Sequence, residues 1–414
     1  MCVCEDAHIF SFHRHTTKAI KKEPLQATKV TMPNVLSLRC PAIPLVRIGL
    51  VGVGARGLKT LERYRFLRHA AICALADLDE ERLAVGNEAL RSSGRPEAKT
   101  FAGNDAWRQL CAHPDIDLVY ICTDWASHTE IATEAMEQGK HVAVEVPAAQ
   151  TVAECWQLVD TAERTRRHCF MTENCCYDAF SLSVQQMVRE GLFGNITHLE
   201  GAYIHHLFEA EESPWMIEFY RRHGGNPYPT HGLGPIAWLL GLHRGDRMDY
   251  LVSMTSKGTN ISNTLIRTVR GRSILLQLDV KTPRPYSRMQ TLCGTQGYAQ
   301  KYPVPTLQFA DGRHLTGDEA LKEAERHFTG DAAERWKRGH ALGVPNEMNY
   351  TMDSRLIHCL HHGLPLDIDV YDAAEWSCIA ELSRESARNG SRPVTIPDFT
   401  RGEWQQLSGH QLAF

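Results

Sequence analysis

The sequence has no CxxC pair, no excess of basic residues and no apolar run of membrane length. Each absence removes a class of protein. The thirteen cysteines are odd in number and scattered, and Cys73, Cys122 and Cys169 sit inside apolar, strand-like runs. That pattern fits reduced, buried thiols in a reducing compartment rather than a disulfide framework. Lys and Arg total 45 against 49 Asp and Glu, a formal charge of −4, so the basic footprint of a nucleic-acid binder is missing. A membrane span needs ~18–20 apolar residues, and the longest candidate, 233–242, is shorter and holds Gly and Pro. Lys21 and Lys22 are followed by no apolar stretch, which argues against a secretory signal. The expected location is therefore cytoplasmic, with no nucleic-acid or membrane partner.

What is present is ordinary globular chemistry. The 414 residues are 43% hydrophobic and 23% charged, a length that suits two domains. Residues 1–45 read as a disordered leader. Cys2, Cys4, His8, His13 and His15 cluster there, but their spacing matches no standard metal site. Met32 is an alternative start, and deleting residues 1–31 is expected to leave activity intact.

From residue 46 the pattern is sharp. An apolar strand over 46–51 runs into Gly52-Val-Gly54-Ala55-Arg56-Gly57, a helix follows over 58–66, and a second strand over 70–76 ends at Asp77. Strand, GxGxxG, helix, strand and acid at this spacing form a dinucleotide-binding fingerprint. Gly52 permits the tight turn, Gly54 lets the backbone approach a pyrophosphate, and Gly57 lets helix and strand pack closely. The helix N-terminus offers free N–H groups to the phosphates. Asp77 suits the ribose of NAD, while Arg56 is a cation that could serve NADP, so NAD is the expected cofactor without excluding its phosphorylated form.

Strands over 118–122, 141–146 and 169–171 alternate with helices over 129–138 and 151–167, the latter opening with a Thr151/Glu154 capping box. Alternation of this kind predicts a doubly wound parallel sheet over 46–170, an α/β Rossmann domain whose ligands lie at the carboxyl ends of its strands. After residue 178 the reading is a helix over 180–190 and strands over 196–205, 251–255, 263–269 and 273–280. This predicts an α+β domain over 171–414 with a large, mainly antiparallel, open-faced sheet. Tyr203 lies beside His205 and His206, Tyr228 and His231 precede a helix at 234–240, and Tyr286 follows a Pro-Arg-Pro segment. The acidic run Glu209, Glu211 and Glu212 reads as a solvated loop rather than a two-carboxylate glycosidase centre. No metal-ligand spacing is found, so no metal is assigned.

The segments RIGLVGVGARG (47–57), DLVYICTDWASH (117–128), GKHVAVEVP (139–147) and LDIDVYDAAEWS (366–377) resemble the Gfo/Idh/MocA superfamily of NAD(P)-dependent sugar oxidoreductases. Where that group's dehydrogenases carry a Glu-Lys-Pro whose Lys handles the substrate proton, this chain has Val146, which cannot transfer one. A narrower resemblance accounts for the change. VEVPAA (144–149), ENCCY (173–177), EGLFGNITHLEGAYIHH (190–206), YPTHGLGPIA (228–237), HRGDRMDYLVSM (243–254) and RPYSRMQTLCGTQG (284–297) resemble glycoside hydrolase family 109, the NAD-dependent α-N-acetylgalactosaminidases. One departure is that Trp215 is followed by Met216, with Arg221 and Arg222 further on, where the family has a Trp-Arg element.

The resemblance implies a recycled, tightly held NAD. The cofactor oxidises the sugar at its 3-position, the 2-proton is removed, the 1-linked group is eliminated, water adds, and the ketone is reduced again. It implies active-site roles for His231, Tyr203, Tyr228 and Tyr286, with His231 taking the 3-hydroxyl proton and Tyr203 the 2-proton. Cofactor contacts fall to Gly52, Gly54, Ala55, Arg56, Gly57, Asp77, Thr123, Trp125, His128, Glu145, Val146 and Asn174. The implied partner is a small-molecule or glycan substrate, and a homo-oligomer is expected by analogy. The competing reading is a net sugar dehydrogenase with His231 in place of the missing Lys; a sugar-binding protein without turnover is a third.

Overall fold

A computed structural model describes residues 33–206, 214–259, 261–410 and 412. The histidine and cysteine cluster at 2–15 and the acidic run Glu209, Glu211 and Glu212 lie outside the described residues.

The first sheet is built by β1 (Val46–Val51), α1 (Ala55–Tyr64), β2 (Ala70–Asp77), α2 (Glu80–Ser92), β3 (Lys99–Ala102), α3 (Ala106–Cys111), β4 (Leu118–Ile121), α4 (His128–Glu137), β5 (His141–Val144), α5 (Val152–Thr165) and β6 (Cys169–Met171). Its six strands are all parallel, in the order β3-β2-β1-β4-β5-β6. Strands β1, β4, β5 and β6 are buried almost throughout, as continuous apolar runs covered on both faces should be. The order reverses between β1 and β4, and ligand crevices open at such a switch point. The predicted capping box holds: Thr151 accepts from the Glu154 N–H, and Glu154 accepts from the Thr151 N–H.

The second part holds α6 (Ala179–Arg189), β7 (Ile196–Ile204), α7 (Pro214–Arg222), α8 (Thr230–Leu240), β8 (Met248–Thr255), β9 (Ser262–Thr268), β10 (Ser273–Asp279), β11 (Ser287–Gly294), β12 (Gly297–Gln300), β13 (Thr306–Phe309), β14 (His314–Thr316), α9 (Asp318–Arg326), α10 (Asp331–Ala341), α11 (Glu347–His362), α12 (Val370–Arg388) and β15 (Val394–Thr395). Nine strands form one sheet, β14-β13-β12-β11-β7-β10-β9-β8-β15; β7 and β10 pair in parallel and every other pair is antiparallel. Helices α8 and α12 pack on this sheet, while Leu265 and Met254 stand exposed on it. Helix α12 also packs on α5, so one buried helix braces both sheets. Its first turn is fixed by an Asp369/Asp372 capping box and by Arg244, which bonds both carboxylates.

Residues 34–45, read from sequence as part of a leader, are packed. Val35 and Leu38 are buried. The Val35 N–H donates to the Tyr371 hydroxyl, Ile43 N–H to the Leu360 carbonyl, and Arg166 to the Asn34 carbonyl. These bonds from the segment's own backbone, which no local pattern announces, hold it as a strap. No helix among the described residues is long and apolar enough to cross a membrane.

Candidate active site

The nucleotide cradle is a backbone device. Gly52 has φ +90°, and a Cβ there would sit 2.8 Å from the Cys122 carbonyl. A Cβ on Gly57 would sit 2.1 Å from the Gly52 oxygen. Both contacts are impossible for any other residue without moving the turn. Above Gly54 the space is open: its Cβ would meet only Arg82 Nη1, at 3.9 Å. Helix α1 begins there with no side-chain cap and no acid in its first turn, so its N–H groups are free for an anion. Asp77, buried at the end of β2, accepts from the Val53 N–H (2.7 Å) and the Asp79 N–H (3.1 Å), with Arg82 Nη1 3.8 Å away. These residues fit a dinucleotide.

Arg56 does not stand beside Asp77. Its Nε donates to Glu145 Oε1 at 2.7 Å, which turns the cation toward the end of β5. The cation near Asp77 is Arg82, which the GxGxxG pattern does not mark. Val146 is buried and followed by a cis bond to Pro147. His128 is fully buried, with Nδ1 2.9 Å from the Pro147 carbonyl and Nε2 3.1 Å from that of Thr123. Burial lowers its pKa, so the neutral ring ties two strand ends together by one donated proton at a time. Thr123 accepts from Ser127, and Asn174 opens a short 3-10 turn at the end of β6.

The reacting side chains come from distant segments, and two close approaches explain how they meet. A Cβ on Gly201 of β7 would sit 2.1 Å from the Gly232 oxygen of α8, and one on Gly232 would sit 2.7 Å from the Ala202 nitrogen. Backbone therefore lies on backbone, and Tyr203 is drawn beside the start of α8. Gly234 lies equally close to the Glu173 and Cys176 side chains, which brings the end of β6 under the same helix.

The result is an aromatic and imidazole cluster. Tyr203 and Tyr228 rings are 4.9 Å apart, Tyr203 and His231 5.4 Å, and Trp125 stacks on Tyr228 at 5.5 Å. The Tyr203 hydroxyl is hydrogen-bonded to His205 Nδ1 at 3.0 Å, and the exposed Tyr286 ring lies 5.3 Å from His205. His231 Nε2 is 3.1 Å from the Tyr228 hydroxyl, and its Nδ1 donates to Glu173 at 2.7 and 2.9 Å. Burial opposes charge on His231, but Cys175 and the Glu173 carboxylate outweigh it and raise its pKa to about 10. Burial pushes Glu173 up, yet His231 holds it below the usual carboxylate range. The pair rests as imidazolium and carboxylate. Trp215, Phe219 and Tyr220 of α7 meet Trp125 edge-on at 5.2, 5.0 and 5.9 Å, forming an apolar wall.

The structure thus gathers Tyr203, Tyr228, His231, Tyr286 and Trp125 in one place, while His128 bridges the ends of β4 and β5. Three contributors carry no role in the sequence reading. Glu173 was legible as an acid at a strand end, His205 as a near neighbour of Tyr203 at the end of its strand, and the α7 wall as aromatics four and five residues after Trp215. Glu173, Cys175 and His231 also bring ligand atoms within 4.8 Å of one another, although no sequence spacing marks them.

A parallel sheet in this strand order, a glycine cradle and a buried ribose-facing acid define an NAD-binding protein of the oxidoreductase type. "Oxidoreductase family, NAD-binding Rossmann fold" matches residues 46–173, and "Glycosyl hydrolase 109, C-terminal domain" matches 177–263 and 257–406. A glycosyl hydrolase family 109 protein of Phocaeicola vulgatus is 53% identical over 412 residues, covering 90% of this chain and 99% of that one. An α-N-acetylgalactosaminidase of Bacteroides fragilis is 49% identical over 408 residues, covering 90% and 96%. The chain belongs to glycosyl hydrolase family 109, and it is an NAD-dependent glycosidase. Among solved structures, an aldose-aldose oxidoreductase from Caulobacter crescentus shares the fold with TM-score 0.66 at 18% identity, covering 85% of this chain and all of that one. A levoglucosan dehydrogenase solved with NADH and L-sorbose does so with TM-score 0.67 at 19% identity, covering 86% and 100%.

Proposed function

We propose that the substrate is an α-linked N-acetylgalactosaminide, cleaved with no net change in the cofactor. The observation that carries this reading is the Glu173–His231–Tyr228 chain, set beside Tyr203 at the strand end where Val146 replaces a proton-transferring Lys. NAD, when bound, supplies a reversible hydride acceptor for the sugar's 3-carbon. Gly52, Gly54 and the α1 N-terminus hold its phosphates, and Asp77 its ribose.

The side chains divide the proton work. His231 is charged at rest, so it offers the sugar a hydrogen bond rather than a site to take its proton. That reverses the role expected from the family resemblance. We place His231 as the charged donor that holds the sugar's 3-oxygen, oriented by Glu173 and flanked by Tyr228; when the 3-carbon gives up its hydride, the 3-hydroxyl proton passes to Tyr203 and on to His205, and it returns by the same route when the ketone is reduced. We place proton removal on Tyr203, whose hydroxyl can pass a proton to His205 Nδ1 at 3.0 Å. Trp125 and the α7 aromatics keep water from the reacting face. Residues 46–170 serve as the cofactor domain and 171–414 as the substrate domain.

The test uses a panel of aryl glycosides with purified protein and no added NAD, following aryl alcohol and nicotinamide absorbance together. Many turnovers on the α-N-acetylgalactosaminide without NADH accumulation are expected. NADH accumulating with NAD supplied, and no aryl alcohol, would overturn the reading in favour of a dehydrogenase.

A further inference from the structure

Away from the cofactor crevice, Cys40, His141 and His168 bring one ligand atom each within 4.8 Å of one another. They come from three places that sequence separates widely. Cys40 is on the strap, His141 opens β5, and His168 immediately precedes β6. The last two stand at the amino ends of their strands, opposite the carboxyl ends where the nucleotide lies.

The cluster is held in place rather than met by chance. A Cβ on Gly363, the residue that caps α11, would lie 2.3 Å from the Cys40 carbonyl oxygen, so the strap backbone is seated directly on that helix end. His141 is fixed by its N–H to the Asp117 carbonyl, and its Nδ1 accepts from the His168 N–H at 3.1 Å. Independently of this grouping, His168 is 5% exposed and its Nε2 has no hydrogen-bond partner. A buried ring nitrogen left unpaired is unfavourable in an ordinary core. A bound ion would remove that cost.

We infer that Cys40, His141 and His168 form a zinc site that pins the strap to the Rossmann sheet. One thiolate and two imidazoles are a donor set that a borderline divalent metal favours. Both rings are buried, and each brings a ring nitrogen to the group. The cations near the cluster are Arg166 and Arg167; both favour the Cys40 thiolate against the effect of its burial. On binding, the Cys40 S–H bond is exchanged for a sulfur–metal bond, and one proton is released to solvent. His141 gives up its contact with the His168 amide if the metal takes Nδ1. Cys40 is only half-buried, which leaves an entry path and a fourth position for water. The metal would act on the strap and not on the sugar chemistry.

The test takes full-length, NAD-loaded protein through equilibrium dialysis with Zn2+ alone, beside Cys40→Ser and His168→Gln. The wild type is expected to hold one more equivalent of Zn2+ than either variant, at least about tenfold more tightly, and to show a rise in Tm with Zn2+ that the variants lack. Glycosidase activity should be the same with and without the metal, and in Cys40→Ser. Because the wild type needs no substitution, Co2+ offers a second reading: a sulfur-to-cobalt absorption band that Cys40→Ser loses. Equal Zn2+ binding by all three proteins would overturn the assignment. So would a cobalt–sulfur band that survives in Cys40→Ser, or Zn2+ binding that abolishes activity, which would place the metal at Glu173, Cys175 and His231.

Discussion

The cofactor half and the sugar-facing half of this molecule solve their problems with different parts of the chain. In the first, the work is done by backbone: a glycine at φ +90°, a second glycine pressed on the first, and an uncapped helix start. In the second it is done by side chains gathered from 173, 203, 228, 231 and 286. Backbone devices need particular residues at fixed short spacing. Side-chain devices need only that the fold bring them together. Substitutions in the two halves should therefore fail in different ways.

The largest effect is expected at Gly57. A methyl group there meets the Gly52 oxygen at 2.1 Å, so Gly57→Ala should expel the cofactor and lose essentially all activity. Release of NAD from the purified protein measures this. A Gly57→Ala protein that retains one NAD per chain would break the contrast between the halves. His231→Ala should instead keep its NAD and lose about 10²–10⁴-fold in turnover, the usual range for a proton-transfer group.

Glu173→Gln comes next. It leaves the ring in place but removes the charge that sustains the imidazolium. Turnover should fall by less than in His231→Ala, and the alkaline limb of the pH profile should move below its wild-type position near pH 10. Stability carries the same sign. His231 has its pKa raised by folding from about 6.5 to about 10. The contact therefore stabilises fully below pH 6.5 and is lost as pH rises toward 10. Urea unfolding at pH 6 and pH 9.5 should show that decline in the wild type and a smaller one in Glu173→Gln. The smallest effect is Thr151→Ala, which removes half of a capping box and should cost about 1 kcal/mol of stability with activity unchanged.

The same contrast explains what could be read from the sequence. Strands β1 and β6 match the expected ranges residue for residue, and Asp77 falls where the fingerprint requires, because apolar runs ending in Gly or an acid are local signals. Helix α12 was legible only as a motif. It is buried on most sides, so it lacks the polar stripe that marks a surface helix. The strap at 34–45 was missed because it is held by a few long-range bonds to α11, α12 and the end of α5. Tyr203, Tyr228, His231 and Tyr286 were reachable through family resemblance alone. Nothing in their spacing reveals that Gly201 and Gly232 let β7 and α8 touch. Glu173 shows the limit most clearly: it lies in a quoted motif, yet its role depends on a histidine 58 residues away.

On the proposed chemistry, the sugar's 2-proton is removed and replaced during each cleavage. Hydrolysis of the α-N-acetylgalactosaminide in deuterated water tests it directly, with the released sugar analysed by NMR. Deuterium is expected at the 2-position of the product, with no NADH left over. A product that keeps its original hydrogen at that position would contradict it.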